Sequence, residues 1–174
     1  MGPHLIDPGS TPAEARRSQI LAAGLTCFAR RGFHQTTMQD IAQAASISVG
    51  LIYRYFESKE QVIATLVSDH LEDLQRKLAD ARQAPSLRAG LEKVLWCEHD
   101  ADVSAPFVVD LFAEAGRNDQ IHALVSQVHD VLIAGVTDLI ATSPERAHLA
   151  AGLEPQHAAE MVFHAIHGRL FDEV

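Results

Sequence analysis

Cysteine is scarce in this chain. Its two residues, Cys27 and Cys97, lie far apart in unrelated helical patterns, which excludes a disulfide scaffold and a cysteine-based metal site. Both read as reduced thiols. Aromatic residues make up only 6% of the chain, so its interior must be largely aliphatic. No apolar run approaches the ~18 residues that cross a bilayer, and no charged-then-apolar secretory leader opens the chain. A cytoplasmic protein without membrane contact is therefore expected. There is no G-x-S-x-G elbow, no Walker-type loop and no H-E-x-x-H pair, so catalysis is not expected either. Strand alternation, low-complexity tracts and repeats are also missing, which leaves an all-α chain.

What remains is 174 residues, 47% hydrophobic and 21% charged, enough for one large domain or for a small domain joined to a larger one. The net charge of −9 is unevenly spread. Residues 1–59 hold six Lys/Arg against four Asp/Glu, whereas residues 60–174 hold eight against nineteen. One end can approach phosphate while the other is repelled by it.

MGPHLIDPGS, residues 1–10, has two prolines, two glycines and no periodicity, and is expected to be a flexible leader outside the fold. Thr11-Pro12-Ala13-Glu14 is a helix start, with Thr11 as N-cap and Glu14 reaching back to it. The helix should run to Arg31, and Gly32 stands where a terminating glycine belongs. Thr37-Met38-Gln39-Asp40 repeats the capping pattern ahead of a short amphipathic helix. Ser48 caps a third, with Ile52 and Phe56 inward. Ser58-Lys59-Glu60-Gln61 opens a long fourth helix lined by Val62, Leu66, Val67, His70, Leu71, Leu74 and Leu78, with Glu72/Arg76 and Asp73/Lys77 as i, i+4 pairs. Further helices are expected after Pro85-Ser86, over Phe107 to Gly116, from Asn118 to about Ala141, and over Gln156 to Phe171.

Two short helices joined around Ala45-Ser46-Ile47-Ser48 and preceded by a longer one form a helix-turn-helix, whose second helix lies in the major groove of DNA. Taken over residues 49–55, that recognition helix offers Val49, Gly50 and Leu51 to base edges, while Tyr53, Arg54 and Tyr55 flank the groove and reach phosphates. Amides at the starts of the second and third helices, near Thr37 and Ser48, can hold phosphate oxygens.

TTMQDIAQAASISVGLIYRYFESKEQV, with the FARRGF step before it, resembles the DNA-binding segment of the TetR (tetracycline-repressor-like) transcriptional regulators over roughly Ala13 to Leu66. The resemblance implies an N-terminal three-helix DNA-binding domain over residues 11–57. It also implies a helical ligand-binding and dimerisation domain over 58–174, with release from double-stranded DNA controlled by a small-molecule effector. By position it makes Thr37, Ser48, Gly50, Tyr53, Arg54 and Lys59 DNA contacts, and it favours repression. Many relatives carry lysine where this chain has Val49, a small hydroxyl residue in place of Leu51, and glycine in place of Ser46. Fewer polar base contacts, with thymine-methyl contacts in their stead, are the consequence.

In the second domain, Trp96, Phe107, Leu111, Phe112 and Phe163 come from helices expected to surround its centre, where bundle cavities bind small apolar molecules. They are the candidate effector contacts, though they could equally be plain core. Asp110 and Glu114, one turn apart in an apolar segment, are expected to face solvent rather than a cationic ligand. Glu160, His164 and His167 share a helical spacing, as do His122 and His129, but histidines scattered along amphipathic helices are usually surface residues. No metal and no cofactor is expected. The last two long helices, 119–141 and 156–171, have apolar faces broad enough to pair with a second copy, giving a homodimer on a palindromic operator. The rival is a helical DNA-binding architectural or interaction protein with no effector, which the acidic second domain disfavours.

Overall fold

The computed structural model describes residues 11–95, 105–148 and 152–171, and every regular element among them is helical. The expected leader and Trp96 lie outside the described residues. The order is α1 (Pro12–Arg31), α2 (Met38–Ala44), α3 (Val49–Ile52), α4 (Lys59–Ala81), α5 (Leu87–Leu95), α6 (Ala105–Ala115), α7 (Asp119–Thr142), a 3-10 turn (Pro144–His148) and α8 (Pro155–Phe171).

The helix starts form for the reasons their sequences carry. Thr11 and Thr37 each accept a bond from the backbone of the third helical residue, and Glu14 and Asp40 bond back, so both are complete capping boxes. Asn118 takes the amides of Gln120 and Ile121 at the start of α7. α4 has only half of its expected box: Gln61 N–H donates to Ser58 Oγ, but the Gln61 side chain accepts from the Glu57 amide instead of turning back to Ser58. On the same helix Arg76 bonds Asp73, one residue closer than the expected Glu72, and Asp73 also holds Lys77.

The chain forms two compact units. The described residues of Met1–Ser68 and Ala101–His122 make one, and those of Asp69–Asp100 and Ala123–Val174 the other. The boundary expected after residue 57 falls just before α4. Compactness instead carries the first part of α4, together with α6, into the N-terminal unit. That unit is built on Ile20, Phe28, Phe33, Ile41, Ile52, Phe56, Val62 and Ile63, all buried. Phe28 lies 5.4 Å from Phe33 and stacks on Phe107 of α6 at 6.4 Å. The second unit has its own core of Leu74, Leu78, Val94, Leu132, Val136, Leu139, Ile140 and Ala159. There α4 and α7 approach so closely that a Cβ on Gly135 would stand 2.5 Å from the Leu78 methyls, which requires a residue without one.

Candidate nucleic-acid interface

Beyond Ala44 the backbone turns by a full Schellman arrangement. Ile47 N–H donates to Ala42 O and Ser46 N–H to Gln43 O, with Ser46 in the left-handed conformation at φ 54°. This position commonly takes glycine, and its occupation by serine is the one positive φ outside glycine among the described residues. The side chain of Gln19, from α1, donates to Ala45 O at 2.6 Å and so pins the turn to the first helix. Ser48 then accepts from Leu51 N–H and starts α3.

α3 is shorter than expected. Regular helix ends at Ile52, and residues 53–55 continue as tight i to i+3 turns, with Arg54 N–H bonding Leu51 O and Tyr55 N–H bonding Ile52 O. The chain tightens here because Phe56 must reach the core, where it is wholly buried beside Ile52. Val49, Gly50, Tyr53 and Arg54 face outward, within about 140° of one another around the helix axis. Val49 is 40% and Tyr53 53% exposed, whereas Leu51 and Tyr55 are half-buried. Of the groove-facing residues expected on this helix, four are thus presented openly and two only in part.

The hydroxyls of Thr37 and Ser48 act within the protein. Thr37 donates to Asp40 Oδ2 at 2.6 Å and accepts from the Asp40 amide, and Ser48 is a cap. The hydrogen bonds from Thr37, side chain first and backbone second, hold the Asp40 carboxyl below the usual carboxylate range, and Arg31 adds an ion pair at 2.7 Å. Beside them a hollow of about 370 Å³ opens between α1 and α2, lined by Arg30, Arg31, Asp40 and the Cys27 thiol among others. Burial and then the Asp40 charge push that thiol's pKa up.

Lys59 is held differently from a groove contact. Its ammonium donates to the carbonyls of Phe33 and His34 at 2.8 and 3.3 Å and lies 4.4 Å over the Phe33 ring. Its bonds secure the turn between α1 and α2. Arg17 likewise lies over the Phe56 ring at 5.3 Å and reaches Thr65. The turn secured by Lys59 begins at Gly32, whose φ of 77° suits glycine, and Thr36 inside it is buried and bonded to Gly32 O.

α6 grips the same turn from another side, and this corrects two expectations. Asp110 does not simply face solvent: its Oδ2 accepts from Phe33 N–H at 3.2 Å. Glu114 is buried, 7% exposed, with its Oε2 3.4 Å from His34 Nε2. Phe107, Asp110 and Glu114 stand at i, i+3 and i+7, one face of a helix. That face turns toward the aromatic residues and the Phe33 amide of the α1–α2 turn. Phe107 is accordingly a core residue of the N-terminal unit and not a wall of a cavity in the second. Leu111 is half-buried and Phe112 47% exposed on the same helix, whereas Phe163 packs in the second unit against its core and edge-on to His129 at 4.8 Å. The described candidate effector residues are thus divided between two units. Among the described residues no cluster of His, Cys, Asp or Glu could hold a metal ion.

Sequence reasoning missed Gln19, Asp110 and Glu114 as positioning residues. The signal was present for the last two, as a polar i, i+4 pair in an otherwise apolar helix, but nothing local indicated its partner. Gln19 carried no such signal.

Comparison with known proteins agrees with this geometry. Residues 20–66 match the family described as Bacterial regulatory proteins, tetR family. The HTH-type transcriptional regulator UidR of Escherichia coli strain K12 is 26% identical over 172 residues, 97% of this chain and 86% of UidR. The HTH-type transcriptional repressor KstR2 of Mycolicibacterium smegmatis is 42% identical over 66 residues, 38% of this chain and 32% of its own. Among solved structures, Salmonella enterica GusR is similar with a TM-score of 0.72 at 28% identity, over 92% of this chain and 84% of GusR. A regulator from Saccharomonospora viridis, solved in complex with choline, shares the fold with a TM-score of 0.74 at 21% identity, over 90% and 83% of the two chains.

Proposed function

From the chain's membership of the tetR family of bacterial regulatory proteins, carried by residues 20–66, we propose that it is a ligand-responsive transcriptional repressor. It acts in the cytoplasm as a homodimer on a palindromic DNA operator and is released by a small-molecule effector. The observation that carries this is the presentation of α3: its inner residues Ile52 and Phe56 are anchored in the core while Val49, Gly50, Tyr53 and Arg54 stand free on one side. A helix so mounted fits the major groove, and dimerisation supplies two of them at a spacing near one turn of DNA, ~34–36 Å or a multiple.

The homodimer is supported by α7. By length and composition this helix is apolar enough to cross a membrane, yet only 28% of its apolar window is buried within the chain. A second copy covers such a face economically. The effector is proposed to be a small organic molecule held among the C-terminal helices, without a metal or other cofactor. Coupling of ~1–3 kcal/mol between effector and operator is sufficient for the switch.

The test is a gel shift with duplex DNA from upstream of the protein's own gene, over a salt series. Saturable binding that survives competitor DNA and weakens with salt is expected. Binding of equal strength to any sequence would replace the repressor with a nonspecific DNA-binding protein. A compound that binds tightly without changing operator affinity is not the effector.

A further inference from the structure

Gly50 lies inside α3, yet a Cβ built on it meets nothing within 4 Å, and it is not among the glycines with positive φ. Neither packing nor backbone strain in the chain itself asks for glycine there, and glycine is the poorest helix former after proline. Nothing within the chain accounts for a residue without a side chain there, and its backbone stands open to a close approach from outside. Around it the surface is apolar: Val49 and Tyr53 are two of the four large hydrophobic residues that stand exposed among the described residues. Of the polar groups beside them in sequence, the Ser48 hydroxyl is engaged with the Leu51 amide, whereas Arg54 stands exposed on the same face. This patch continues the helix-turn-helix face and belongs to the end of the chain in which basic residues outnumber acidic ones.

Resting on the DNA-binding function argued above, we propose that Val49, Gly50 and Tyr53 read the operator chiefly by contact with thymine 5-methyl groups. The methyl of thymine is the apolar group that a base edge offers in the major groove. Val49 presents branched methyls to it. Gly50 lets the backbone close on the neighbouring base, which any side chain would hold off. Arg54, on the same face, is left for phosphate.

The experiment uses the full chain. Duplexes are selected by it from a random-sequence pool, and each thymine of a selected duplex is then replaced by deoxyuracil, which removes the methyl alone. At one or more positions in each half-site, affinity is expected to fall about fourfold, the burial of one methyl group. Val49→Ala should bind the thymine and deoxyuracil duplexes equally. Val49→Ser, which also lacks both methyls, repeats the comparison with the same expectation should the alanine variant unfold. Gly50→Ala should bind every selected duplex more weakly while melting no lower than the parent. Selected duplexes that bind tightly but lose nothing at any deoxyuracil position overturn this inference and leave the DNA-binding function standing. Selection of no duplex at all overturns both.

Discussion

Ser46 holds a left-handed backbone at φ 54° at the cost that any residue with a Cβ incurs there, ~1 kcal/mol or somewhat more. Ser46→Gly removes that cost but makes the unfolded chain more flexible, so the net gain should be about 0.5–1 kcal/mol in urea unfolding. Ser46→Val, branched at Cβ, should lose stability by more than the glycine variant gains. Lys59 and Arg54 separate in the same way between fold and function. Lys59→Met keeps the aliphatic stem over Phe33 but leaves the carbonyls of Phe33 and His34 without their donor, at a cost of about 1–3 kcal/mol. Because those bonds occupy the ammonium, the dependence of operator binding on salt should keep its slope. Arg54→Ala should leave stability nearly unchanged and lower the slope of log affinity against log salt by about one, the signature of one lost phosphate contact. A slope lowered by Lys59→Met as well would return that lysine to the groove.

At the scale of elements, the starts of α1 and α2 should be acid-sensitive. Backbone and side-chain hydrogen bonds from Thr11 hold the Glu14 carboxyl below its usual range, and those from Thr37 do the same for Asp40. Both groups therefore bind protons less readily folded than unfolded. Their contribution is fully present above the ordinary carboxylate range near pH 4 and is lost as pH falls through the lowered folded-state values. Thermal melts from pH 7 to pH 3 should show the midpoint falling at the acid end. Thr37→Val should lower the neutral plateau and make the acid decline shallower, because less remains to be lost. A decline of unchanged steepness in that variant would assign the acid sensitivity to other carboxylates.

These starts are also where the fold was most legible in the amino-acid sequence. A capping box is written within four consecutive residues, and the stripe that follows is written in the helix's own period, so Thr11, Thr37 and Ser48 could be recognised without any tertiary knowledge. The outward exposure of Val49, Gly50, Tyr53 and Arg54 followed from the same local frame, whereas the half-burial of Leu51 and Tyr55 did not. What was not legible depends on distant partners. Asp110 meets Phe33 across 77 positions and Gln19 meets Ala45 across 26, and neither residue type announces its mate. Lys59 illustrates the point most sharply: its place in the motif suggested phosphate, while the carbonyls it bonds became visible only once α1 and α4 were packed together.

For the molecule as a whole, the unsettled charge of burial lies in α7. A soluble core helix of its hydropathy would be mostly enclosed, yet its apolar window is 28% buried, and Val125 and Ile133 are each half-buried. Its partner is either a membrane or another copy of the chain. Asp130 and Asp138, within the same helix, would have to enter the hydrocarbon in the first case, at about 2.5–3.5 kcal/mol each near the centre. In the second they can stay at a wet rim. A second copy of the chain is thus the less costly cover, in keeping with the proposed palindromic operator. Val125→Glu combined with Ile133→Glu should give a chain that sediments as a monomer with its helical circular dichroism intact. Since one reading head then binds alone, affinity for the full operator should fall at least a hundredfold, towards that for a half-site. Retention of the dimer by this variant would move the interface elsewhere, and partition of the parent chain into liposomes would favour the membrane.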